Sequence, residues 1–271
     1  MVKKTMVIAV LLIAWLVMPS ARLLAVSEKT VVLGNVVGSG VTTLARGLLQ
    51  GRVHSFKDAV KCLGYGMASG YGFYQAKKQV AAGRTFSGIL LANLSASVID
   101  NVTSGEGPLS YLGFTLPLVR LEVATPFAKR PRALVSFTVS PRDAISLALA
   151  ISKADRASLR GGMLSFEADE PLAENVRGWA HGIFPTVVAG KPESVFRHEM
   201  VHVVQSLQLM AASPEPFLKS YRRDEGKMKL LDFGGVRAQV LGLANDLTLA
   251  KLQTYDKYWR EAEAYSLVVS Q

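Results

Sequence analysis

The sequence predicts an α+β fold: a helical N-terminal half, then a mixed α/β segment that feeds into one histidine-bearing helix. Three observations carry that reading. Between Val31 and Gly105 apolar residues recur at intervals of three and four among many Gly, Ala and Ser, which is the period of a helix. From Tyr111 the period shortens to two, as in Val119-Arg120-Leu121-Glu122-Val123, the pattern of a strand buried on one side. At Phe196 the helical period returns in a stretch that holds His198 and His202, two of only 4 histidines in the chain.

With 271 residues, 49% of them apolar and 19% charged, the chain is long enough for one sizeable core, or for one domain with an appendage, and is not of disordered composition. The formal charge of +10 favours anionic surfaces, lipid headgroups among them, or serves solubility alone. No RNP motif, zinc finger or basic helix turns it into nucleic-acid recognition. Cys62 is the single cysteine, which excludes an intramolecular disulfide and a Cys-rich metal site.

Lys3 and Lys4 precede an apolar run from Met6 to Met18 that Pro19 breaks. This reads as an export signal, and the run is short for a full span. Cleavage near Ala21 or Ala25 would leave Leu23 in a place that prefers a small residue, so an uncleaved anchor is the alternative. The expected organisation is a signal or membrane anchor over residues 1–25, a Gly/Ala-rich helical region over 26–108, and the remaining domain over 109–271. The bulk of the chain is then exported: membrane-anchored, or in the periplasm or cell envelope.

Taken in order, the first helical segments carry Phe56, Val60, Leu63, Met67 and Tyr71, then Phe86, Ile89, Leu90, Leu94 and Val98 within Thr85–Val102. Lys57, Asp58, Lys61, Lys77, Lys78 and Arg84 interrupt them. Two arrangements suit the pattern: closely packed soluble helices, or a membrane-seated hairpin whose small residues allow close approach and whose Lys77, Lys78 and Arg84 meet the lipid surface. His54 reads as a surface residue and Cys62 as a small core residue. Asn93 and Asn101 begin glycosylation acceptor patterns that matter only in a eukaryotic secretory pathway. Strands are expected at Val119–Val123, Leu134–Ser140, Met163–Ala168 and Gly182–Val188. Ser140, Pro141 and Asp143 form a helix start for Ala144–Ile151. The histidine helix runs from Pro192 to about Met210, with Phe196, Met200, Val203, Val204 and Leu207 as its apolar face. A last helix covers Lys251–Val268.

The chemistry lies in His198-Glu199-Met200-Val201-His202. On a helix, residues at i and i+4 stack on one face, so both imidazoles can grip one zinc ion, and Glu199 sits where it can take a proton from water. Catalytic zinc keeps three protein ligands. No histidine follows His202, so the third ligand is a carboxylate, unless an upstream histidine folds back.

This H-E-x-x-H stretch resembles zinc metallopeptidases. Its wording R-H-E-x-x-H-V-x-Q, with a late E-x-E-A, also resembles bacterial envelope proteins with metallopeptidase-like cores, over about residues 190–268. The resemblance implies a zincin-like mixed sheet, then the H-E-x-x-H helix, then a C-terminal ligand helix of the gluzincin type. Gluzincin-like families carry E-x-x-A-D there; Glu261 matches the ligand Glu, Ala264 the Ala, and Tyr265 stands where those families have a bracing Asp. Glu263 is the alternative third ligand. Glu199 becomes the general base, and the oxyanion donor is His181, Tyr258 or Tyr265, of which Tyr258 and Tyr265 share the helix face of Glu261. The implied protein is an exported zinc metallopeptidase with a peptide or protein substrate. The competing reading is a catalytically silent envelope protein that uses the same fold for binding or structure.

Overall fold

A computed structural model describes residues 27–116, 119–128, 138–139, 141–170, 177–212 and 263–268. Three long helices come first: α1 (Glu28–Leu49), α2 (Phe56–Ala81) and α3 (Thr85–Thr103). A small antiparallel sheet follows, β1 (Tyr111–Leu116), β2 (Val119–Ala124) and β3 (Thr138–Val139), in that spatial order. Helix α4 (Pro141–Ile151) leads to a second sheet of β4 (Arg156–Arg160), β5 (Met163–Ala168), β6 (Gly178–His181) and β7 (Phe184–Val188), ordered β4-β5-β7-β6. Helix α5 (Glu193–Ala212) carries the H-E-x-x-H stretch, and residues 263–268 form a last helix, α6. The architecture is α+β.

Local chemistry explains the starts and turns. Ser27 caps α1 through Thr30, and Ser55 and Asp58 cap α2 reciprocally, which satisfies amide groups that the first helical turn leaves open. Gly161 and Gly162 both have positive φ, 59° and 81°, the conformation that a two-residue hairpin between β4 and β5 demands. In the second sheet β5 and β7 run parallel, while β6 returns antiparallel on β7 and forms one edge.

Helix α5 is the central element. It packs on β6 and β7 on one side and on α2 and α3 on the other. Phe196, Met200, Val203, Val204 and Leu207 are buried in one core with Phe166 and Phe184 of the sheet and Phe73, Val80, Ile89 and Ile99 of the helices. This is the apolar face expected from the sequence. Each such side chain taken from water contributes about 1.5–3 kcal/mol before entropy is counted. Arg46 of α1 ties the layers together: its guanidinium pairs with buried Asp100 of α3 at 2.7 Å and donates to the Ala211 carbonyl at the end of α5.

The helical layer differs from the sequence reading in which face it buries. Of the stripe expected to pack, Phe56, Val60 and Tyr71 are turned outward, and so are Phe86, Leu90 and Leu94, while Leu63 and Met67 reach Gly40 of α1. The packed face of α2 is made of Gly66, Ser69 and Gly70 with Phe73, Tyr74 and Lys77. A Cβ on Gly70 would fall 2.2 Å from the Asn35 carbonyl oxygen, and one on Gly66 would fall 2.7 Å from that of Ser39. The helices therefore touch backbone to backbone, and contact that close selects small residues and turns the large apolar ones away. Lys77 is a second correction: it is buried, not part of a lipid-facing cluster, and Lys78 is paired with Glu28.

Strand β2 corrects a third expectation. Glu122 is buried and Val123 is exposed, so the face with the apolar alternation is not the covered one. Strand β1 sits against α3, which satisfies its free edge with three side chains one turn apart. Asn93 Oδ1 accepts from the Thr115 amide at 2.7 Å, Ser97 Oγ accepts from the Gly113 amide at 2.8 Å, and Asn101 Nδ2 donates to the Tyr111 carbonyl at 2.8 Å. Four residues of helix rise about 6 Å and two residues of strand about 6.6 Å, so the two repeats match. Asn93 and Asn101 are thereby buried and committed, which takes both acceptor patterns out of reach of glycosylation.

Of the expected strands, Met163–Ala168 is β5, and Gly182–Val188 holds β7. Most of Leu134–Ser140 lies outside the described residues. Strands β4 and β6 went unrecognised. Cys62 is buried and His54 exposed, both as expected.

Candidate metal and catalytic site

The two imidazoles of α5 converge. His198 Nε2 and His202 Nε2 lie 3.1 Å apart, with the rings nearly perpendicular at 82°. Two nitrogens bound to one tetrahedral zinc at 2.0–2.1 Å lie about 3.3 Å apart. The helix thus presents two donors at the separation that such an ion needs. His202 is buried and His198 half-buried, so the pair is partly covered.

Glu199 is buried on the side of α5 turned to β6. Its fit there depends on the glycine that opens the strand. A Cβ on Gly178 would lie 2.9 Å from Val195 Cγ1 and 3.1 Å from both Glu199 Cγ and Oε1. The edge strand of the sheet and the acid of the motif are therefore in direct contact.

Behind His202 stands a buried polar chain. Its Nδ1 lies 2.8 Å from Gln205 Oε1, and Gln205 Nε2 donates to Glu263 Oε2 at 2.8 Å. Lys77 Nζ donates to both Glu263 oxygens at 2.9 Å, and Asn35 Nδ2 donates to Glu263 Oε1 at 2.6 Å. Asn35 Oδ1 in turn accepts from Lys77 at 2.7 Å. Elements α1, α2, α5 and α6 each contribute one member. On the other side of the pair, the ring of Tyr265 lies against His198, centroid to centroid 4.6 Å, while the residue stays 62% exposed.

The structure thus brings together His198, His202 and Tyr265, and buries Glu199 of the same helix against Gly178 of β6. Both oxygens of Glu263, the alternative ligand, accept hydrogen bonds, from Lys77, Asn35 and Gln205. Among the described residues, no group of three His, Cys, Asp or Glu side chains is arranged to hold a metal. Glu261 and Tyr258 lie outside the described residues. His181 is the last residue of β6 and precedes β7. Sequence reasoning missed Asn35, Lys77, Gln205 and Gly178 as parts of the site. Only Gln205 left a signal, a polar residue at i+3 from His202 and the last letter of the H-V-x-Q wording.

The chain matches no protein-family model, no curated protein sequence and no solved structure.

Proposed function

We propose that this chain is a zinc-dependent metallopeptidase of zincin type. The observation that carries the reading is the 3.1 Å approach of the two Nε2 atoms with Glu199 on the same helix. Residues His198 and His202 would hold the ion, with Glu261 as third ligand. Bound zinc supplies a Lewis acid and brings the pKa of water toward about 7. Glu199 takes the proton from the attacking water and hands it to the leaving amine. Tyr265, exposed beside His198, offers its hydroxyl to the developing oxyanion, and Tyr258 is the alternative donor. A mixed sheet ahead of the helix, with edge strand β6 alongside Glu199, supports the zincin comparison and leaves an edge against which an extended peptide can lie.

The test is metal content followed by one substitution. Purified protein should hold one zinc per chain, and a chelator should abolish cleavage of a casein-type substrate. Glu199→Gln should keep the zinc and lose activity by about 10²–10⁴-fold. Protein with no stoichiometric zinc refutes the reading. Zinc with activity unchanged in Glu199→Gln favours the silent envelope protein instead. Glu261→Ala should lower zinc affinity, and an unchanged affinity removes Glu261 from the ligand set.

The same reading places the chain outside the cytoplasm and against a lipid bilayer. The apolar run Met6–Met18 behind Lys3 and Lys4 supports export. Among the described residues α1 alone is long and apolar enough to cross a membrane, but it packs on α2 with Asn35 and Arg46 buried and is not the proposed span. The outward face of the helical layer adds Phe56 at 85% exposed, Phe86 at 66% and Tyr71 at 51%, with Lys57 and Lys61 exposed beside them. Apolar side chains flanked by lysine suit an anionic bilayer surface. The full chain should co-sediment with vesicles containing phosphatidylglycerol, and Phe56→Ser with Phe86→Ser should weaken that binding. Equal binding by the variant, or a stable dimer that buries this face, refutes the lipid assignment.

A further inference from the structure

We propose that Gln205, held by the buried Glu263–Lys77–Asn35 cluster, is the positioning residue of the site. It fixes His202 as the tautomer protonated on Nδ1 and leaves Nε2 bare and aimed at its partner histidine. The inference rests on the metallopeptidase reading for its purpose, but its geometry stands on the chain's own residues.

The direction of each hydrogen bond follows from the chemistry at the far end. A carboxylate accepts and does not donate. Glu263 takes the Lys77 ammonium at 2.9 Å on both oxygens and the Asn35 amide at 2.6 Å on one. The atom of Gln205 that faces Glu263 Oε2 at 2.8 Å must then be its amide nitrogen. That leaves the amide oxygen toward His202 Nδ1 at 2.8 Å, so this nitrogen must carry the proton. A neutral imidazole has one donor and one acceptor nitrogen, and the acceptor is therefore Nε2, 3.1 Å from that of His198. A metal-binding histidine needs its other ring nitrogen fixed by such a donor bond.

Gln205, Glu263, Lys77 and Asn35 are all buried. A buried ion pair is weak evidence for stability, since apolar residues of similar size serve as well or better. A polarised chain that ends on a would-be ligand gives this pair a purpose that packing does not. The brace comes from α5 itself and is anchored in the helical half.

Isosteric swaps test this in the full chain. In the wild-type protein without metal, long-range ¹H–¹⁵N spectra should show His202 protonated on Nδ1, with Nε2 of the bare type. Gln205→Glu sets two carboxylates against each other, and Glu263→Gln removes the group that orients the amide. Each single variant should lose the fixed tautomer and bind zinc about 10–100-fold more weakly in competition with a chromophoric chelator. The double variant Gln205→Glu/Glu263→Gln again offers an acceptor to Nδ1 and a donor behind it, and should recover both tautomer and affinity to within a few-fold. Losses that add in the double variant overturn the proposal, as does a wild-type His202 protonated on Nε2. A Gln205→Leu variant that folds and keeps the wild-type tautomer also overturns it. A wild-type chain that shows the Nδ1–H tautomer yet binds no zinc sinks the metallopeptidase reading and leaves the positioning claim standing.

Discussion

Replacing Lys77 by methionine separates what the buried cluster does for folding from what it does for the site. Lys77 and Glu263 meet at 2.9 Å, each with its side chain 2% exposed. Methionine keeps most of the lysine stem, so little cavity opens and the loss is the charge. Glu263 then stays buried with the two neutral amide donors of Asn35 and Gln205, and breaking such a pair costs about 3–5 kcal/mol. In a chain of this size each kcal/mol lowers Tm by about 2–4 °C, so the expected fall is about 10 °C. The double variant Lys77→Met/Glu263→Met removes the stranded charge. Asn35 keeps its bond to the Val31 carbonyl at 2.9 Å, and the remaining cost is the Gln205 amide, about 1–3 kcal/mol. Urea unfolding should therefore rank the double variant above Lys77→Met. Zinc affinity should be reduced in the double variant, where Gln205 has lost the Glu263 acceptor, and kept in Lys77→Met, where Glu263 still accepts from the Gln205 amide. A double variant less stable than the single refutes the ion-pair argument. A double variant that regains stability together with wild-type zinc affinity shows that the cluster only holds the fold.

Three further substitutions probe other links. Gly178→Ala puts a methyl 2.9 Å from Val195 Cγ1 and 3.1 Å from the Glu199 carboxylate; it should lower kcat at least tenfold with zinc content unchanged, and an unaffected kcat refutes the coupling of β6 to the acid. Tyr265→Phe keeps the ring on His198 and removes the hydroxyl, so kcat should fall with zinc affinity intact; an unchanged kcat passes the donor role to Tyr258. The Asp58 carboxyl sits below its ordinary value because the Ser55 hydroxyl and then the His54 amide donate to it. A depressed folded value means that the ionised form is favoured in the fold, so its stabilisation is full above the unfolded pKa of about 3.9 and is lost as pH falls through the folded value. Asp58→Asn should be less stable than wild type at pH 7, and the two melting curves should converge below about pH 4.

How much of this was legible follows from which forces are local. The pairing of His198 with His202 needs only the 3.6-residue repeat, so five letters of sequence define it. The apolar face of α5 was legible for the same reason. The face of α2 was not. Periodicity says that Phe56, Val60 and Tyr71 share a side, but it does not say that the side is buried. Gly66 and Gly70 decide that, by letting α2 reach the backbone of α1 at Asn35 and Ser39. In β2 the same limit appears at Glu122: alternation marks two faces, and the partner chooses between them. Lys77 looked like a surface charge because its counter-ion lies 186 residues away.

That last separation carries the functional point. The two facing imidazole nitrogens belong to one turn of one helix, yet the groups behind Gln205 are drawn from α1, α2 and α6. A peptide containing only α5 would keep the i, i+4 spacing and lose the polarity of Gln205, since nothing would hold its amide. The helical half is then part of the site and not a separate module that covers or tethers it. Its outer face is free to meet a bilayer because its inner face is polar and small where α1 meets α2, and at Lys77 and Asn35 that inner face reaches the chemistry. On the proposed reading, catalysis and membrane seating would share one helical layer, on opposite sides of it.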